Sequence, residues 1–381
     1  MSDIKFIDRS DMAKEVAVVV GTRPGIIMMA PVIHALTELG VPNFVIHTGQ
    51  HYSPAMDSEL FEDLRLPKPA FHIEDVAGKK THAGQTAVML EGCEAALMER
   101  RPRLVLVNGD ANTNLAGALA ARKLHVGVGH IEAGERSFDW RMPEEHNRRI
   151  MDHISELLFA SGEKAAAQLR KESVPGEIHV TGNTIVDASL NHANLADRHS
   201  DALNRIGLEP GSYILATSHR EENVDVPGNL EAILRGIGEA ARSADLKALF
   251  LAHPRTVKRI EQFGLADLVG PDSGIVMREA IRYLDFIKLL KSARIVMTDS
   301  GGVQQEAYIH RRPTVTMRKN TEWTETLETG ANRLANPESA QEIREAALAA
   351  LGADIASWPD IFGDGQAAKK IAMIAKEFVD R

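Results

Sequence analysis

The chain has 381 residues, 44% of them hydrophobic and 25% charged, with a formal net charge of −9 and one cysteine, Cys93. That length accommodates two domains, each with its own core. The charge argues against a nucleic-acid scaffold, and a single cysteine excludes disulfide scaffolding and a cysteine-based zinc site. The N-terminal stretch is polar and lacks a signal-peptide apolar region, and no run of about eighteen apolar residues occurs. The expectation is a cytoplasmic protein that binds neither membrane nor nucleic acid.

In chain order, residues 15–20 read as a buried strand, followed by the turn Gly21-Thr-Arg-Pro24 and a helix over 26–39. A strand at 44–47 and helices at 55–64 and 81–100 follow. Cys93 falls on the latter and reads as a small core residue. Strands at 104–107 and 126–131 flank a helix at 115–123. Beyond an acid-rich loop come helix 145–154, strand 157–160, helix 164–172 and strand 178–181. A polar helical stretch, 187–206, and a Pro/Gly break at 208–211 precede a second series of the same kind. Its strands are predicted at 213–217, 248–251, 274–276, 295–298 and 314–316, and its helices at 229–243, 256–263, 283–291 and 302–310. A last helix is predicted at 367–379. Strands alternating with helices predict parallel, doubly wound sheets. The expected fold class is α/β, with two Rossmann-like domains facing a cleft and the C-terminal helix crossing back. One domain is residues 1–186 plus 366–381, and the other is 187–365.

Chemistry-bearing residues gather just past the apolar runs, where open α/β sheets bind ligands. Asp110 follows one strand and Glu132 the next, with Glu144, Arg136 and Arg148 close behind. Several acids together suggest acid/base work, and the arginines suggest an anionic substrate. Helix caps and surface ion pairs are the plainer alternative, above all for Glu145. Asp299-Ser-Gly-Gly302 follows an apolar strand and opens a helix. Ser300, Gly301 and Gly302 there offer donors to a phosphate, and Glu306 lies one turn on, placed for ribose hydroxyls. Arg318 is the best candidate for a phosphate clamp. His219, His253 and Arg23 occupy comparable strand-end positions, with a structural role as their alternative. The absence of GxGxxG, a P-loop and HExxH disfavours nicotinamide, flavin and zinc chemistry, so no cofactor and no metal are expected.

Gly21-Thr-Arg-Pro24, Thr48-Gly-Gln-His51, Asn108-Gly-Asp110, His130-Ile-Glu-Ala-Gly134, Pro143-Glu-Glu-His-Asn-Arg148, His219-Arg-Glu-Glu-Asn223, His253-Pro254, Asp299-Ser-Gly-Gly302 and Thr321-Glu-Trp-Thr-Glu325 occur in this order. The series resembles the non-hydrolysing UDP-N-acetylglucosamine 2-epimerases over nearly the whole chain. The resemblance implies a glycosyltransferase-B-like fold, a UDP-sugar substrate and a homodimer. It implies removal of the C2 proton, departure of UDP from C1 to give a glycal, and re-addition of UDP. Asp110, Glu132 and Glu144 match the family's acid/base positions, with Arg148 supporting. His219, Ser300, Gly301, Gly302 and Arg318 match its UDP contacts, and Glu306 its ribose contact. Gly25 and Met28 depart from the family's glutamate and lysine, and Gly84 replaces an arginine-bearing lead. Tyr52-Ser-Pro-Ala-Met56 stands where self-activated members carry a second glutamine. Three alternatives stay open: an epimerase of a modified or different nucleotide sugar, a hydrolysing epimerase, and a transferase or sensor of the same fold.

Overall fold

The protein is described here from a computed structural model, over residues 6–50, 54–279, 281–354 and 356–381. His51 of the Thr48–His51 motif and Tyr52 and Ser53 of the Tyr52–Met56 stretch lie outside the described residues. The chain divides into two compact units. The first is Met1–Asn191 with Phe362–Arg381, and the second is His192–Ile361.

The first unit comprises β1 (Ala13–Val20), α1 (Arg23–Glu38), β2 (Asn43–His47), α2 (Pro54–Asp63), β3 (Phe71–His72), α3 (His82–Arg100), β4 (Pro102–Asn108), α4 (Asn112–Lys123), β5 (Gly127–Ala133), α5 (Pro143–Ile154), β6 (Leu157–Ala160), α6 (Glu163–Lys171) and β7 (Glu177–Val180). The helix α7 (Thr184–His199) runs through the division between units, so no linker marks it. The boundary expected after residue 186 falls inside the same helix. The second unit comprises α8 (Ala202–Ile206), β8 (Tyr213–Thr217), α9 (Glu221–Val224), α10 (Pro227–Ser243), β9 (Lys247–Ala252), α11 (Pro254–Gln262), β10 (Ile275–Glu279), α12 (Tyr283–Ser292), β11 (Ile295–Thr298), α13 (Gly301–Ile309), β12 (Thr314–Thr316), α14 (Thr324–Glu328), β13 (Asn332–Leu334) and α15 (Ala340–Leu351). The chain then returns, and α16 (Ala367–Asp380) packs on α1, β1 and β4 of the first unit.

Both sheets are parallel. Their orders are β3-β2-β1-β4-β5-β6-β7 and β10-β9-β8-β11-β12-β13. The β-branched run Val18-Val19-Val20 is buried completely, as befits a strand covered by helices on both faces. Each sheet reverses its winding next to its first strand, between β1 and β4 and between β8 and β11. Parallel sheets bind ligands at the carboxyl ends flanking such a reversal. In the first unit those ends lead to Gly21 and Gly109-Asp110; in the second, to Ser218-His219 and Asp299-Ser300.

The structure corrects several expected bounds. The helix expected over 187–206 is broken: α7 stops at His199, and the Ser200 hydroxyl donates to Asp285 at 2.5 Å before α8 begins. The strand expected to end at Ile131 continues through Glu132 to Ala133. The helices α9, α14 and α15 and the strands β3 and β13 were not predicted. No described helix is long and apolar enough to cross a membrane.

Candidate functional site

In the first unit the turns are built before the acids. Gly21 has no room for a side chain, because a Cβ there would collide with the Thr48 and Thr113 hydroxyls. Thr22 caps α1 by accepting from the Gly25 amide at 3.2 Å. This sets Arg23 at the first helical position, half-buried, with no hydrogen bond or ion pair from its guanidinium among the described residues. The Gln50 side chain accepts from the amide and hydroxyl of Thr113, both at 2.8 Å, and so ties the end of β2 to the start of α4. The Asn147 amide donates to the Asp110 carbonyl at 2.8 Å.

Asp110 stands at the mouth of β4, and its carboxylate accepts from Arg148 of α5 at 2.5 Å. Glu132 reaches the same place by an irregularity. Pairing of β5 with β6 runs Ile131 to Phe159 and then Ala133 to Ala160, so Glu132 is one extra residue in its strand. Its φ is +66°, a left-handed conformation that L side chains rarely adopt. A bulge of this kind re-aims a side chain, and bulges concentrate beside active sites. The Asn183 amide donates to the Glu132 carboxyl at 3.1 Å. Burial, then the charges of Glu135 and Asp110, push the Glu132 carboxyl up to about 7, against the opposing pull of Asn183 and Arg148.

The other residues of this region separate into two sets. Glu144 lies in the first turn of α5, half-buried, with no side-chain hydrogen bond or ion pair among the described residues. Its neighbour Glu145 is fully buried and accepts from the Ser137 amide at 2.8 Å and from Arg149 at 2.9 Å. Although burial works against ionisation, the Ser137 and Arg149 bonds hold its carboxyl below the usual range. Glu145 thus takes the plainer role, fastening the loop before α5. The expectation that Arg136 holds an anionic substrate is corrected by its surroundings. Its guanidinium is 1% exposed and lies 2.6 Å from both Asp152 and Glu172. Asp152 in turn pairs with buried His130 at 2.7 Å, and the other His130 nitrogen meets the Gly109 carbonyl at 3.0 Å. Arg136 therefore neutralises interior acids and offers little to a ligand.

In the second unit, Asp299 closes β11 and is fully buried. Its carboxylate accepts from the Ser218 hydroxyl at 2.7 Å, from the His219 and Arg220 amides, and from Asn223 at 3.0 Å. Burial opposes its ionisation, but His219, Ser218 and Asn223 together hold it below the usual carboxylate range. The His219 Nδ1 sits 3.1 Å from the same carboxylate, and its ring is half exposed. This contact fixes the ring and turns Nε2 outward. Ser300, Gly301 and Gly302 begin α13, and a Cβ on Gly302 would meet open space. The first amides of a helix have no partners within it and favour an anion. Glu306 is buried on the same helix and accepts from the Tyr283 hydroxyl at 2.7 Å. Burial pushes its carboxyl up to about 7, against the Tyr283 bond. His253 ends β9 and caps α11, its Nδ1 accepting from the Arg255 amide at 3.2 Å. Arg318, the expected phosphate clamp, is buried, and its fork donates to the two Glu322 oxygens at 2.8 and 2.9 Å.

A family model described as UDP-N-acetylglucosamine 2-epimerase matches residues 35–376. The chain belongs to this family. It is 42% identical to the UDP-N-acetylglucosamine 2-epimerase of Methanocaldococcus jannaschii, across 94% of this chain and 98% of that one. It is 38% identical to the UDP-2,3-diacetamido-2,3-dideoxy-D-glucuronate 2-epimerase of Pseudomonas aeruginosa, again across 94% and 98%. A crystal structure of the M. jannaschii enzyme in complex with UDP-GlcNAc and UDP is similar at a TM-score of 0.82 and 42% identity, covering 94% of this chain and 99% of that one. The fold is the glycosyltransferase-B-like fold of the epimerase family.

The motifs do not by themselves mark Asp299, Asn183 and Glu322 as positioning groups of this epimerase family member. Asp299 opens the expected anion-binding turn, and its carboxylate points inward to the loop after β8. Glu322 carried a usable signal, since it is an acid four residues beyond Arg318. Among the described residues, no cluster of His, Cys, Asp and Glu is arranged to hold a metal ion.

The two raised carboxyls make folding depend on pH in a defined direction. Glu132 and Glu306 bind protons in the folded state up to about pH 7. In the unfolded chain they release them near the ordinary value. Each contribution to stability is therefore complete below about pH 4.5 and is lost as pH rises through about 7. Glu306→Gln removes one of these groups, so its urea midpoint is expected to fall less than the parent's between pH 5 and 8. Equal falls in both proteins would remove Glu306 from this account.

Proposed function

We propose that this chain epimerises C2 of a UDP-N-acetylhexosamine, interconverting the gluco and manno forms. The observation that carries the reading is the Asp110–Glu132 pair. It joins two carboxyls at the ends of adjacent strands, one lying against Arg148 and the other pushed up to about 7. Epimerisation needs one group to take the C2 proton from one face and another to return a proton to the opposite face. Carboxyls in unlike surroundings suit those two roles. In the proposed sequence, the C2–H bond breaks with transfer of its proton to a carboxylate. The C1–O bond breaks with its electron pair leaving on UDP, and the glycal forms. UDP then adds back to C1 as C2 is protonated on the other face. Glu144, in the first turn of α5, is the third proposed participant, and Arg148 supports the acids.

The second unit supplies the proposed nucleotide contacts. The hydroxyl of Ser300, the amides of Gly301 and Gly302 and the guanidinium of Arg318 hold the diphosphate, and His219 Nε2 meets the leaving oxygen. Glu306 takes the ribose hydroxyls. Arg23 of the first unit and His253 of the second are further proposed substrate contacts; the Arg23 guanidinium has no hydrogen bond or ion pair among the described residues. The proposed setting is a cytoplasmic homodimer without cofactor or metal. A second reading, a diacetamido-uronate sugar, is favoured by the likeness to the P. aeruginosa enzyme. Incubation with UDP-N-acetylglucosamine in deuterated water, followed by NMR, tests the proposal. Deuterium is expected at C2 of both epimers without accumulation of free UDP. Epimers without deuterium would refute C2 proton transfer, and steady release of UDP would point to hydrolysis.

A further inference from the structure

We propose that Glu322 is a built-in competitor for the diphosphate, standing in the anion site of the second unit and leaving it each time UDP enters. The inference rests on the reading above that UDP binds at Arg318 and the start of α13.

Three features converge on this carboxylate. Arg318 donates to both of its oxygens in a planar fork, at 2.8 and 2.9 Å. Arg220 approaches it at 3.7 Å. A Cβ built on Gly301, the first residue of α13, would lie 3.7 Å from it. Two guanidiniums and the first turn of a helix are what a phosphate requires, and an arginine fork accepts carboxylate and phosphate alike. The segment is fastened on both sides of Glu322. The Thr321 hydroxyl donates to Gln304 at 2.6 Å, and the Trp323 indole donates to the Gly301 carbonyl at 3.0 Å. The fold itself therefore delivers the carboxylate to this point.

The two partners differ in burial, and that difference suits exchange. The Arg318 side chain is 8% exposed, whereas that of Glu322 is 55% exposed. A buried guanidinium left without a counter-charge is costly. Glu322 removes that cost while the site is empty. Because its own carboxylate borders water, it can withdraw with little desolvation once a diphosphate takes over the fork. The arrangement keeps Arg318 satisfied at every stage and weakens the hold on UDP.

Calorimetric titration of the full chain with UDP and with uridine tests this. Glu322→Gln is expected to bind UDP about tenfold more tightly than the parent, because the competing charge is gone. Uridine has no phosphate, so its affinity is expected to stay the same. Glu222→Gln, which neutralises an acid 3.5 Å from Arg220 but outside the Arg318 fork, controls for the general field and is expected to change UDP affinity far less than Glu322→Gln does. Unchanged or weaker UDP binding by Glu322→Gln overturns the proposal. So does a gain shared with uridine or matched by Glu222→Gln. If the parent itself does not bind UDP, the reading of the site falls instead.

Discussion

Asp110→Asn is expected to fold and to bind UDP much as the parent does, yet to turn over roughly a hundredfold more slowly or worse, a typical loss for a group that moves a proton. The side chain sits at the reversal of the first sheet, within the electrostatic reach of Glu132 and against Arg148. Asn retains the shape and one acceptor but cannot take a proton from carbon. The Asp110–Arg148 pair is partly exposed, at 32% and 20%, so its loss should cost only about 0–1 kcal/mol of stability. Activity and stability are thus expected to separate. Steady-state kinetics and urea unfolding on the same preparation measure both. Turnover within about tenfold of the parent would remove Asp110 from the proton-transfer step.

Arg136→Ala is expected to do the reverse. It leaves Asp152, which is fully buried, and Glu172 without their shared guanidinium. Removing one partner of a buried ion pair typically destabilises by about 3–5 kcal/mol, and with His130 still beside Asp152 and Arg149 still beside Glu172 the lower end, about 3 kcal/mol, is expected. The loss should appear as a lower urea midpoint with an unchanged slope. UDP-sugar affinity of the protein that remains folded should match the parent's. A stable Arg136→Ala that fails to bind substrate would restore the arginine to the binding site.

The contrast between these two residues shows what the amino-acid pattern reveals. Buried parallel strands write themselves as short apolar runs, and the residue after each run is the residue at the sheet's carboxyl edge. Asp110, His219 and Ser300 were found in that way. The identity of the side chain does not say which way it points, however. Arg136 and Arg148 are both arginines in one acid-rich loop and helix; one turns to interior carboxylates and the other to Asp110. Glu132 was expected just past its strand, and only the bulged pairing with β6 shows that it stands within it. Arg318 was visible as a cation at a strand end, but its occupation by Glu322 depends on the backbone path between them. The helix α15 had a legible start: Ser339 accepts from the Glu342 amide at 3.2 Å, and Ser-x-x-Glu before an apolar face signals a helix N-terminus. The strands β3 and β13 are too short, at two and three residues, to leave a period.

The return of the chain to its first unit sets an order of assembly. The helix α16 buries Ala368, Ile371, Ala372, Ala375 and Val379, and it is made only after the whole of His192–Ile361. At about 5–20 residues per second, a ribosome takes on the order of 10–30 s to cross that insertion. Throughout that interval the nascent first unit carries an uncovered apolar surface on α1, β1 and β4. The second unit, contiguous in the chain, can complete its own core while the first waits. A nascent chain arrested before residue 367 would therefore hold one finished unit and one that chaperones and proteases recognise as incomplete.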